Sequence, residues 1–95
     1  MNNVRSIKIS EYEEAWRIED SFEVIKYLTK QNKIILGGDI LGKKLQYIYD
    51  NWYYEPSESN NRTKNIIDSY NIACQYIQDY IKKNGTDYYV IIVTE

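Results

Sequence analysis

The side chains able to do chemistry in this sequence are few, and they gather in one stretch. Asp39 follows two glycines in Ile35-Leu36-Gly37-Gly38-Asp39, and Asp50 stands within Tyr47-Ile48-Tyr49-Asp50-Asn51-Trp52-Tyr53. Two carboxylates on paired strands can share general acid–base work when their surroundings push their pKa values apart. Nothing else of a hydrolase accompanies them. Histidine is absent, which removes the commonest general base and the commonest metal ligand together. No H-E-x-x-H or G-x-S-x-G pattern occurs, and the acids match no calcium-loop spacing. The glycines make no phosphate cradle either. Such a loop aims its amides from a helix N-terminus, whereas this one runs on into a strand and a hairpin. Glycine within a strand marks a bulge or another backbone passing close by. No catalytic residue, metal or cofactor is expected, and the chain reads as a non-enzyme.

Cys74 stands alone, so no intrachain disulfide can form and a reducing compartment fits. Inside an apolar helical pattern its default is a buried, inert thiol. A net charge of -2 and a pI of about 5.2 weigh against a nucleic-acid binder, which needs a basic face. The same balance suits steering towards a basic partner. A hydrophobic share of 43% is enough to build a core, and a mean hydropathy of -0.63 keeps the chain in water. Its 95 residues fit one domain, residues 1–95, with one core. No apolar stretch opens the chain, and the longest, Tyr88 to Val93, falls far short of the roughly 20 residues that span a bilayer. A cytoplasmic location with no membrane contact is expected.

Helices and strands have to hold these residues in place. Arg5 to Ile9 alternates weakly, as an extended lead-in. Ser10 and Glu13 have capping-box spacing, which with Tyr12, Ala15 and Trp16 suggests a short helical turn. A firmer helix starts at Asp20, with Glu23 reaching back to the cap, and buries Phe22, Val24, Ile25 and Leu28 until Gln31-Asn32 ends it. Ile34 to Leu36 reads as a strand, Leu41 to Lys44 as a turn, and Lys44 to Tyr54 as a long strand pairing back on the first. The polar loop E-P-S-E-S-N-N-R, residues 55–62, leads into a helix capped by Asn61 or Thr63. Ile66, Ile67, Tyr70, Ala73, Cys74, Ile77 and Ile81 are expected on one face of that helix, and Gly85 stops it after Lys82-Lys83. Tyr88 to Val93 is a last strand, apolar on both faces. The order α-β-β-α-β predicts an α+β domain: a small three-stranded, mainly antiparallel sheet in the order 2-1-3 with both helices packed on it. The alternative sets the last strand beside the second through a right-handed crossover.

A period of two along the second strand places Tyr47, Tyr49, Asn51 and Tyr53 on one face and Ile48, Asp50, Trp52 and Tyr54 on the other. Tyrosine has high β propensity, so the run can be no more than the flank of a half-buried sheet. With both helices on one side, the tyrosine face can instead be a rigid amphipathic platform for a partner. Tyrosine, isoleucine, asparagine and lysine are all favoured by AT-rich codons and fill 44 of the 95 positions, so the number of tyrosines decides nothing.

The stretches "IILGGDIL" (34–41), "YIYDNWYYE" (47–55), "SYNIACQYIQDY" (69–80) and "YYVIIV" (88–93) together resemble Immunity protein 40, a bacterial family encoded beside polymorphic toxins. The distinctive pieces are Gly37-Gly38-Asp39 and Asp50-Asn51-Trp52, supported by Ser69 and Tyr76-Ile77. The first twenty residues and the loop E-P-S-E-S-N-N-R carry none of the resemblance. It implies an immunity protein that binds and neutralises a cognate protein toxin in the cytosol, and it brings neither a toxin activity nor an interface. Asp39, Tyr47, Tyr49, Asp50 and Tyr53 are then the candidate partner-binding residues, while Gly37, Gly38, Asn51 and Trp52 build the hairpin. A small non-catalytic ligand-binding or regulatory module using the same tyrosine face is the other possibility.

Overall fold

The computed structural model describes residues 4–95. The chain runs through β1 (Ser6–Lys8), β2 (Glu14–Arg17), a short 3-10 helix (Ile18–Asp20), α1 (Ser21–Lys30), β3 (Ile35–Leu41), β4 (Tyr47–Tyr53), α2 (Arg62–Asn84) and β5 (Tyr89–Thr94). All five strands form one antiparallel sheet in the order β1-β2-β5-β3-β4, and both helices pack on one face of it.

This corrects the three-stranded sheet expected from the sequence. The segment around Tyr12, Ala15 and Trp16 is not a helical turn. Glu14–Arg17 is extended and pairs with β5, with Ala15 opposite Ile91 and Trp16 opposite Val90. The reason is β5 itself, whose Val90 and Ile91 are both buried although they point to opposite faces. Such a strand needs a hydrogen-bonded neighbour on each edge and cover on each side, and that demand overrides weak local propensity. Ser10 and Glu13, instead of capping a helix, close the β1–β2 turn: the amides of Ile9 and Ser10 both donate to the Glu13 carbonyl, at 2.9 and 3.3 Å.

The capping box expected at Asp20 is also absent. The 3-10 helix feeds directly into α1, so Asp20 keeps helical backbone angles and its side chain makes no capping bond. Ser21 Oγ donates instead to the Ile18 carbonyl at 2.6 Å. At the start of α2 the cap does form, with Asn61 Oδ1 accepting from the Lys64 amide at 2.8 Å. Lys82 and Lys83 close the same helix at its negative end, before Gly85.

Ile18, Ile25, Ile35, Ile40, Trp52, Ala73, Ile77 and Val90 form the main core between sheet and helices. A second, smaller cluster of Ala15, Leu41 and Ile91 lies on the helix-free face, flanked by Ile9, Leu45 and Tyr89. Two buried polar residues of α2 organise what surrounds them. Ser69 Oγ accepts from the Ile35 amide at 3.0 Å and donates to the Ile66 carbonyl, which ties the helix to the start of β3. Asn65 Oδ1 accepts from Tyr54 Oη (2.8 Å), the Ser57 amide (3.2 Å) and Asn60 Nδ2 (3.2 Å), and its Nδ2 donates to the Ser57 carbonyl. Those four bonds give the polar loop before α2 its shape. Among the described residues, no helix is long and apolar enough to cross a membrane.

Candidate functional site

The β3–β4 hairpin carries all the candidate partner-binding residues, Asp39, Tyr47, Tyr49, Asp50 and Tyr53, together with Gly37, Gly38, Asn51 and Trp52. Strand β3 is longer than its apolar start suggested, because Gly37, Gly38 and Asp39 continue it. A side chain at Gly38 would stand 2.5 Å from the Ile91 carbonyl oxygen and collide with the Trp52 ring. At Gly37, φ is +152°, and a side chain there would meet the Trp52 carbonyl and, at 2.9 Å, the Tyr53 Cα. The two glycines thus let β4 close on β3 with the Trp52 indole lying across Gly38.

That indole is 7% exposed and stacks on Tyr76, with ring centres 5.1 Å apart. The aromatic row continues from Tyr76 to Tyr80 and then edge-on to Tyr88. Trp52 Nε1 is buried and finds no acceptor among the described residues. The ring serves packing, not hydrogen bonding.

A bulge shapes the other end of the hairpin. Ile40 pairs with Asp50 and Leu41 with Tyr47, so Ile48 and Tyr49 are both extra on β4. An insertion of two preserves the alternation on either side. Tyr47 therefore shares the helix-free face with Asn51 and Tyr53, opposite Leu41, Asp39 and Gly37 respectively. Tyr49 sits in the bulge itself at φ +67°, with 88% of its surface exposed.

Asp39 lies on the helix-free face between Asn51 of β4 and Ile91 of β5. Tyr47, on the same face, links it to a residue that the sequence did not single out for binding. Tyr47 Oη donates to Glu13 Oε1 at 3.4 Å, and the Tyr47 hydroxyl is held above the usual tyrosine pKa by burial and then by the charges of Glu13 and Asp39. Glu13 is 26 positions away from Asp39 in the chain. Only the strand order β2-β5-β3 brings it to the same face, and no spacing rule could have found it.

Asp50 is not part of that group. It faces the helix side of the sheet, opposite Ile40, where Tyr80 Oη donates to its Oδ2 at 2.7 Å. The Tyr80 hydroxyl is raised well above its ordinary pKa, chiefly by burial and next by the bond to Asp50. Asp39 and Asp50 thus occupy opposite faces and cannot act as a pair on one substrate. Asn51 is exposed beside Asp39, whereas Trp52 is in the core. Cys74 is half-buried, and burial pushes its thiol up, away from the reactive thiolate. No three acidic or cysteine side chains come together to hold a metal ion among the described residues.

Compared with known families, the chain is matched over residues 3–94 by the family model described as Immunity protein 40. The match takes in β1, β2 and the polar loop of residues 55–62, which the four sequence stretches did not reach. No curated protein and no solved structure matches the chain.

Proposed function

The chain belongs to the Immunity protein 40 family, and from that premise we propose that it binds a cognate protein toxin in the cytosol and neutralises it with the helix-free face of the β3–β4 hairpin. Proteins of this family are non-catalytic members of polymorphic toxin systems. Their work is done by binding, so what matters is a surface that is rigid, exposed and chemically complementary to a partner.

Tyr49 is the observation that carries this reading. A non-glycine residue with φ near +67° costs roughly 1–2 kcal/mol, and glycine or asparagine would hold the bulge more cheaply. The ring recovers little of that cost by packing, because it is almost wholly exposed. An aromatic side chain kept at a strained, solvent-facing position supports a role outside the fold. Tyr53, 77% exposed on the same strand, and Tyr47 add aromatic area at low conformational cost. Asp39 and Glu13 make the face acidic and suit it to a basic toxin surface.

The test is co-expression with the products of the neighbouring open reading frames, followed by affinity capture and a growth assay. One neighbouring product should be toxic alone, should co-purify with this chain and should become harmless in its presence. A neighbouring toxin whose growth defect persists despite a folded, abundant partner chain rejects the proposal.

A further inference from the structure

The sheet has two outer edges, and both are poor templates for another strand. Strand β1 is three residues long, and β4 carries the two-residue bulge. Short and bulged edges are the usual ways of discouraging strand addition. A third unpaired edge lies inside the sheet. Strand β2 begins at Glu14 and pairs with β5 only from Ala15–Ile91 to Arg17–Tyr89. Strand β5 runs on to Thr94, held by β3 on its other side with Ile35 opposite Thr94.

The backbone direction there follows from alternation. The Tyr88 carbonyl accepts from the Ile18 amide on the β2 side, and the Glu95 amide donates to the Ile34 carbonyl on the β3 side. Backbone groups of successive strand residues point to opposite sides. Thr94, an even number of residues from Tyr88, therefore turns its amide and carbonyl to the side where β2 has already left. Beside this edge is a hollow of about 580 Å³. Trp16, Val24, Tyr27 and Leu28 make its apolar wall, and Glu13 and Glu14 stand at its rim. No lysine or arginine lines it among the described residues. Val93 is 43% exposed at its border.

We propose that this hollow receives an extended segment of the toxin, which adds as a strand beside Val93 and Thr94. Its apolar side chain enters between Trp16 and Leu28, and a neighbouring Lys or Arg meets Glu13 and Glu14. Main-chain bonds to Thr94 supply affinity, and the alternate side chains supply selectivity, as in other cases of strand addition. The carboxylate rim, lined by no lysine or arginine among the described residues, selects a basic residue over an acidic one. Glu13 also joins this hollow to the Asp39 face, since it accepts from Tyr47. One toxin can cover both surfaces without a break.

This inference rests on the immunity reading, and the experiment separates the two. The probe is the neighbouring toxin that co-purifies with the wild-type chain, titrated against purified variants. Thr94→Pro removes an amide that turns away from β3 and lies beyond the last β2 pairing among the described residues, and proline is tolerated where the missing N–H faces outward. It should leave the melting temperature nearly unchanged while weakening toxin binding roughly tenfold or more. A Glu13→Lys, Glu14→Lys double variant should slow association and reverse its salt dependence. In the wild-type complex the Thr94 amide should exchange its hydrogen more slowly than in the free chain. Wild-type affinity in both variants, with no added protection at Thr94, overturns the strand-addition site and leaves the immunity reading standing. A Thr94→Pro chain that becomes monomeric where wild type is dimeric assigns the hollow to a second copy and overturns it as well. If no neighbouring product binds the wild-type chain, both readings fall.

Discussion

Gly38→Ala places one methyl group where the structure has no room for it. The new carbon would lie 2.5 Å from the Ile91 carbonyl oxygen and 2.6 Å from Trp52 Cζ3, whereas ordinary contact begins at 3.4 Å. Something must move by nearly an ångström. The carbonyl belongs to β5, paired on both edges, and the ring is wedged between Gly38 and Tyr76. Overpacking of this kind costs about 1–3 kcal/mol. The loss of glycine's freedom in the unfolded chain returns about 0.4–1 kcal/mol. A net loss of about 1–2 kcal/mol follows, which lowers the melting temperature of a chain this size by roughly 4–16 °C. The cause can be isolated with Trp52→Ala, which should itself cost about 3–5 kcal/mol. With the ring gone, one of the two obstacles to the methyl group goes with it. The double variant should then be less destabilised than the two single losses combined, by about 0.5–1 kcal/mol. Urea unfolding followed by far-ultraviolet circular dichroism measures all four proteins without depending on tryptophan emission. Gly38→Ala melting within error of wild type, or strict additivity in the double variant, would refute the packing argument.

Tyr49→Gly should leave stability unchanged or raise it by up to about 1 kcal/mol, because relief of the positive φ outweighs glycine's entropy cost. The same variant should bind the toxin about 1–3 kcal/mol more weakly, and intact binding would remove Tyr49 from the interface. Asn65→Leu strands the donors of Tyr54, Ser57 and Asn60 and should cost about 2–3 kcal/mol. Faster cleavage by a glutamate-specific protease after Glu58 should accompany it; a loop as resistant as wild type would deny Asn65 its organising role. Tyr80 is favoured in its protonated form in the folded state. Its contribution is therefore complete below the unfolded tyrosine pKa of about 10 and is lost as pH rises towards the higher folded value. Urea stability should fall less steeply between pH 9 and pH 11 (about one unit either side of that pKa) in Tyr80→Phe than in wild type, and parallel curves would contradict the assignment.

Much of the local structure is legible in the residues alone. Helix α2 declares itself through Ile66, Ala73 and Ile77 at helical spacing, a cap at Asn61 or Thr63, of which the structure uses Asn61, and the Gly85 stop, since each is a short-range interaction within one element. The split of β4 into a tyrosine face and an Asp50–Trp52 face follows from the period of two, and the bulge leaves it intact because two residues are inserted rather than one. Gly37-Gly38 announces a close approach, but the sequence does not say what approaches. That it is the Trp52 indole and the Ile91 carbonyl depends on two strands pairing with β3 at once.

The misreadings have a common cause. Residues 14–17 have only four positions in which to express a preference, so a capping-box spacing at Ser10 and Glu13 points to a helix while the pairing demand of β5, more than 70 residues later, makes a strand. Glu13 reaches the Asp39–Tyr47 group by the same long-range pairing. The period of two places Asp50 on the face away from the tyrosines, but that Tyr80 of α2 meets it there is decided only by how the helix packs on the sheet. Periodicity and capping are settled within a few residues and can be read along the chain. Strand order, edge exposure and the identity of neighbours across a sheet are settled by burial of the whole core, and only the folded chain contains them.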